Sequence, residues 1–183
     1  MKFILSILIF FNFSIAKIYA EETRQVDKHE HGVGELNIAT EGDVIELEFM
    51  IPGADIVGFE YVAKSDADIA SIKKALQTFE NYENIFTLPT NSRCQLTEKQ
   101  VALKEDEDDH DDHEGHDDHD EHDDHDEHAE ENHNEFYAKY SFECGDTKAI
   151  NKVEFPYFST FLNSGELEVQ FISSIGSVSF EVE

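Results

Sequence analysis

Apolar and polar residues alternate through GELNIATEGDVIELEFMI, residues 34–51, with Ile45, Leu47, Phe49 and Ile51 on one face and Glu46 and Glu48 on the other. Glu41-Gly42-Asp43 breaks the alternation with turn-forming residues, so the stretch predicts a β-hairpin. The period changes over SDADIASIKKALQTFENYENIF, residues 65–86, where Ile69, Ile72, Leu76 and Phe79 recur at steps of three and four. That spacing predicts an amphipathic helix, capped by Ser65 or Asp66 and ended before Pro89. Two more strands are predicted over residues 93–103 and 135–144. In the second, Phe136, Ala138, Tyr140 and Phe142 alternate with Tyr137, Lys139 and Ser141. Residues 152–165 read as a strand followed by a short helix. The chain closes with GELEVQFISSIGSVSFEVE, a hairpin whose Leu167, Val169 and Phe171 are matched by Val178, Phe180 and Val182.

These elements predict an α+β fold: a mainly antiparallel sheet built from N- and C-terminal hairpins, with one long and one short helix. Of fifteen Phe residues, the eleven beyond residue 20 supply the bulk of a core. Gly-Glu-Leu opens both hairpins, at 34–36 and 165–167. A distant internal repeat and a chance likeness both account for that.

Between the two middle strands the pattern stops. Ala129 is the one aliphatic residue between Glu105 and His133, and Asp and Glu fill most of the rest. Such a segment cannot bury enough surface to offset its conformational entropy, and its charges repel one another. Residues 104–135 are therefore expected to be a disordered His/Asp/Glu-rich loop inserted between two strands, at little cost because closure entropy grows only logarithmically.

Histidine stands at every third position of this tract: His110, His113, His116, His119, His122, His125 and His128, with His133 beyond. On a helix a step of three drifts by about 60°, so these residues would circle the axis and form no single face. The spacing reads as a dense supply of ligands. Neutral imidazole ligates Zn2+, Ni2+ or Cu2+. The carboxylates between can ligate too, or hold the other ring nitrogen. Loading should release protons and weaken as pH falls towards 6. A solvated acidic linker with incidental histidines is the competing reading, and eight of the chain's ten histidines in one tract speak against it.

The charge agrees with a cation-binding role. Residues 104–135 hold nineteen of the 42 acidic residues and one of the 13 basic ones, a net −18 of the chain's −29, leaving −11 elsewhere. Phosphate backbones and anionic membrane surfaces would repel such a chain, so nucleic acid is excluded as a partner class.

The opening MKFILSILIFFNFSIAKIYA places Lys2 before an apolar run at 3–15, with small residues at Ala16 and Ala20. This is the layout of a secretory signal peptide over residues 1–20. The run is interrupted by Asn12 and falls short of the ~20 residues a membrane span requires. The mature part, 21–183, is expected to be a single metal-binding domain outside the cytosol, in the periplasm for a Gram-negative source, and not inserted in the membrane. In an oxidising compartment Cys94 and Cys144 are expected to form a disulfide, since they lack the close spacing of structural zinc ligands. Closing a loop of about 50 residues would contribute on the order of 4 kcal/mol and would clamp the two stems of the tract.

Catalytic motifs are missing. His113-Glu114 is followed by His116, one position short of the HExxH zinc-protease spacing. An EF-hand register would need His110 as its first ligand and lacks flanking helices. No GxSxG and no phosphate-binding glycine loop occurs, so no enzyme is expected. The two remaining histidines, His29 and His31, stand at i and i+2, which in extended chain points both rings to one face. Two ligands do not complete a site. Glu30, Glu60, the tract or a partner would have to supply the others.

The HEHGVGELNIA start, the IELEFMIPGADIVGFEYVAKS stretch, Cys94 after IFTLP, the His-rich insertion and the FYAKYSFEC strand together resemble the ZrgA-like periplasmic zinc-uptake proteins. The resemblance runs over essentially the whole mature chain. It implies a zinc-binding partner of an ABC-type zinc importer, and it gives His29 and His31 the family's N-terminal HxHG position. Many members of that family read GFEH where this chain has Gly58-Phe59-Glu60-Tyr61. Two other functions fit the same residues: a periplasmic buffer against excess Zn, Ni or Cu, and a metal-dependent sensor or adaptor.

Overall fold

A computed structural model describes residues 32–105 and 133–183. The first predicted hairpin is present as Val33–Glu41 (β1) and Val44–Pro52 (β2), with Glu41 opposite Val44 and Glu35 opposite Met50. Cys94–Glu105 (β3) and Asn134–Cys144 (β4) form an antiparallel ribbon, irregular between Leu96 and Glu98. Glu166–Ser173 (β5) and Gly176–Val182 (β6) form the closing hairpin in the predicted match, Leu167 to Val182, Val169 to Phe180 and Phe171 to Val178.

These three antiparallel units make one six-stranded sheet of order β3-β4-β2-β1-β5-β6. β2 pairs antiparallel with β4, while β1 and β5 run parallel, Leu36 beside Val169. That last pairing makes the sheet mixed. It also brings the two Gly-Glu-Leu segments onto adjacent strands.

One face of the sheet is the core. Leu36, Leu47, Phe49, Ile51, Phe136, Tyr140, Phe142 and Leu167 are buried along it. The helix Asp66–Glu80 (α2) lays Ala75 and Phe79 on these side chains, and Ile85, Phe86, Tyr157 and Phe161 fill in from the loops and from the four-residue helix Tyr157–Thr160. Phe79 stacks between Phe136 and Phe161, and Tyr140 donates its hydroxyl to the Phe79 carbonyl at 2.6 Å. The other face is polar and wet, the usual division for a largely antiparallel sheet. There Lys139 pairs with Glu46 at 2.8 Å and Tyr137 donates to Glu48 at 2.9 Å. Burial and the Glu48 carboxylate raise the Tyr137 pKa, and the hydrogen bond to Glu46 raises that of Lys139.

Ser65, one of the two expected caps, caps α2, accepting the Asp68 amide on its hydroxyl. Three expectations need correction. Ile69 is exposed, because α2 turns Ala75 and Phe79 to the sheet and leaves Ile72 and Leu76 half-buried. The strand expected in 152–165 is a single bridge between Thr87 and Glu154, cut off by Pro156. A third helix, Gly53–Val57 (α1), follows Pro52 and ends at Gly58, whose φ of 85° suits glycine. We number the helix Tyr157–Thr160 as α3. Val178 and Phe180 remain about half exposed, since β6 is an edge strand beyond the cover of the helices.

Cys94 and Cys144 form the expected disulfide, as the first pair of the β3–β4 ladder. Its position differs from the expected clamp. The tract leaves the ladder at the other end, eleven residues along β3, or about 35 Å away at the rise of a strand.

Candidate metal-binding end of the sheet

Strand direction and register bring several termini to one end of the sheet. β1 begins there at Val33, β5 begins at Glu166 opposite it, β2 ends at Pro52 opposite Glu135, and β3 ends at Glu105 opposite Asn134. The chain therefore leaves the described part at Gly32, Glu105 and His133, all at this end. β4 and β1 are separated by one strand, which puts the His133 and Gly32 exits roughly 10 Å apart across the sheet, with Glu105 one strand farther from Gly32 at ~14 Å. The disulfide and a hollow lined by Tyr82, Leu88, Arg93, Cys94 and Phe142 lie at the opposite end, and that hollow holds no histidine.

The exits at Gly32 and His133 are fixed by the segment after β2. Asp55, buried in α1, accepts the Gly32 amide on Oδ1 at 2.7 Å, and the Gly32 carbonyl accepts the amides of Gly165 and Glu166. On the other side, Asn134 is buried. Its backbone amide donates to the Glu60 carbonyl at 3.1 Å and its side-chain amide to the Tyr61 carbonyl at 3.2 Å. Gly53 makes that seat possible, because a Cβ there would lie 1.6 Å from Asn134 Oδ1 and 2.7 Å from the Phe59 carbonyl oxygen. Tyr61 stacks on Phe59 and stays exposed.

The Nδ1 of His133 lies 2.7 Å from Glu60 Oε2. The Glu60 side chain is 11% exposed and that of His133 36%, so the carboxylate belongs to the fold while the imidazole reaches solvent. Glu60, Glu105, Glu135 and Glu166 give this end a negative rim that draws cations.

Of the expected ligands, His133 falls among the described residues. His29, His31, His110, His113, His116, His119, His122, His125 and His128 lie outside them, as do residues 1–20 and most of the expected loop. Among the described residues no group of three or more His, Cys, Asp or Glu side chains could hold a metal ion. No described helix is long and apolar enough to cross a membrane. Glu60, considered above as a companion of His29 and His31, is seen beside His133. Asp55 and Asn134 were not picked out from the sequence; each carries a polar group into an apolar setting, which a linear pattern does not distinguish from a turn residue.

A comparison with curated proteins finds no match. Residues 28–183 match the family described as ZrgA family zinc uptake protein, a span that takes in every candidate histidine. The chain belongs to the ZrgA family of zinc uptake proteins.

Proposed function

We propose that this chain is exported, collects zinc with the His-rich tract and with a His29-x-His31 site, and passes it to an ABC-type importer, without catalysing a reaction. The observation that carries this reading is the convergence of Gly32, Glu105 and His133 on one end of the sheet. His31 adjoins the first of these exits, and His110 follows the second by five residues. Histidines tethered so close to one another share a high effective concentration, so a zinc ion released by one ligand set is recaptured by the next. An open set of imidazoles also suits handover better than a closed four-coordinate cage.

Export to the periplasm is supported by the signal-like residues 1–20 and by the Cys94–Cys144 disulfide, which belongs to oxidising compartments. Zinc is the cargo implied by the family, and imidazole with carboxylate suits it, although the same donors accept Ni2+ and Cu2+. The tract's sequence, a repeated supply of imidazole and carboxylate that selects no single metal, favours a second reading, a buffer against excess Zn, Ni or Cu. Growth of a deletion strain separates the two. Failure under a zinc chelator, restored by added zinc, supports uptake. Failure only under excess metal supports the buffer, and a partner that binds only with metal present supports a sensor or adaptor.

A further inference from the structure

We infer that Glu60 is a positioning residue for zinc, holding His133 by Nδ1 so that the ring offers Nε2 to the metal. The inference rests on the reading that the tract's histidines bind zinc, and it goes further by giving one of them a fixed geometry and a named support.

Three observations carry it. The contact between His133 Nδ1 and Glu60 Oε2 is 2.7 Å, the length of a charge-assisted hydrogen bond in which the ring N–H donates to the carboxylate. Two ligands of one tetrahedral zinc, each bound at about 2.0 Å, would stand ~3.3 Å apart. The pair is therefore set for support of one residue by the other, with the metal on the far nitrogen. The backbone on both sides is also tied down. Asn134, next to His133, gives its amide to the Glu60 carbonyl and its side chain to the Tyr61 carbonyl, over the glycine at 53. Finally, burial differs in the sense this role requires, with the carboxylate 11% exposed and the imidazole 36%. A carboxylate behind a ligating histidine fixes its tautomer and raises its basicity, and losing such support costs roughly 10–100-fold in metal affinity.

His133 is then the point at which bound zinc meets the folded sheet. The test is a competitive zinc titration of the full mature chain, of Glu60→Gln, Glu60→Ala and His133→Ala, with imidazole 15N spectra of the zinc-loaded wild type. The tightest zinc is expected to weaken roughly 10–100-fold in Glu60→Ala and at least as much in His133→Ala, which removes the ligand itself. Glu60→Gln, whose amide oxygen still accepts the Nδ1–H, should recover part of that loss, and the His133 proton should sit on Nδ1. Unchanged tightest affinity in both alanine variants, or a His133 ring with its proton on Nε2, overturns the inference while leaving zinc binding by the tract intact. A wild-type chain that takes up no zinc overturns both. Since His133 is partly exposed, its alanine variant tests the point even if Glu60→Ala fails to fold.

Discussion

Glu105 and Asn134 face one another as the last pair of the β3–β4 ladder, with Lys104 opposite Glu135 just before them. The intervening residues thus begin and end at one ladder step, and the sheet is already closed without them. Asn134 is buried and bonded to the Glu60 and Tyr61 carbonyls, so the register on the return side is set by the fold itself.

Replacing 106–132 by a six-residue Gly/Ser linker should therefore leave the fold intact. Shorter closure should raise stability by about 1 kcal/mol. Thermal melting with unchanged near-ultraviolet dichroism would bear this out, and a lost cooperative transition would contradict it.

Removing the disulfide acts on the other end of the same ribbon. Cys94→Ala/Cys144→Ala should cost up to about 4 kcal/mol, because the bridge spans a separation of 50 residues. Its distance from the tract predicts that zinc stoichiometry stays as it was. Urea unfolding and a zinc titration of the double variant check the two halves of this statement.

Gly53→Ala should be costly for a glycine on the first turn of a helix. The added methyl would meet both Asn134 Oδ1 and the Phe59 carbonyl, so backbone must move, at about 1–3 kcal/mol. The loss should appear as a lower denaturation midpoint. A midpoint equal to or above wild type would show that the Asn134 seat yields easily.

The parts legible in the sequence were those with a local period. Both outer hairpins, the strand pair around the tract and α2 follow from alternation or three-four spacing, and the Leu167–Val182 register follows from matching apolar faces. The parallel pairing of β1 with β5 was not legible, because it joins residues about 130 positions apart and leaves no local trace. Helix α1 was missed for another reason: five residues are too few for a period, though Pro52 before it and Gly58 after it are the marks of a start and a stop. Of the site, the residue types were visible in the tract and in His29 and His31. The contact of Glu60 with His133 was not, since it depends on how the end of β2 folds back over the start of β4.

Alkaline pH should loosen the core. Burial, and then Glu80, push the Tyr140 phenol well above its ordinary 10.0, and burial does the same to Tyr157. The unfolded chain would release these protons near pH 10 while the native state keeps them, so stability is full below that pH and falls as pH rises towards the native values. Tyr140→Phe removes one such group and should flatten the decline. It should also cost about 1 kcal/mol at neutral pH for the lost hydrogen bond to Phe79. Urea midpoints between pH 8 and pH 11 would show both effects, and a wild-type midpoint independent of pH over that range would contradict them.

The most direct test of the whole account is a competitive zinc titration on three proteins: the chain from residue 21 onward, the same chain with 106–132 replaced by the linker, and His29→Ala/His31→Ala. The account predicts several zinc equivalents for the first. The linker version should lose most of them and keep the tightest, while the double alanine should weaken that tightest one and retain most of the capacity. Equal stoichiometry with and without the tract, or no zinc held by any of the three, would contradict it.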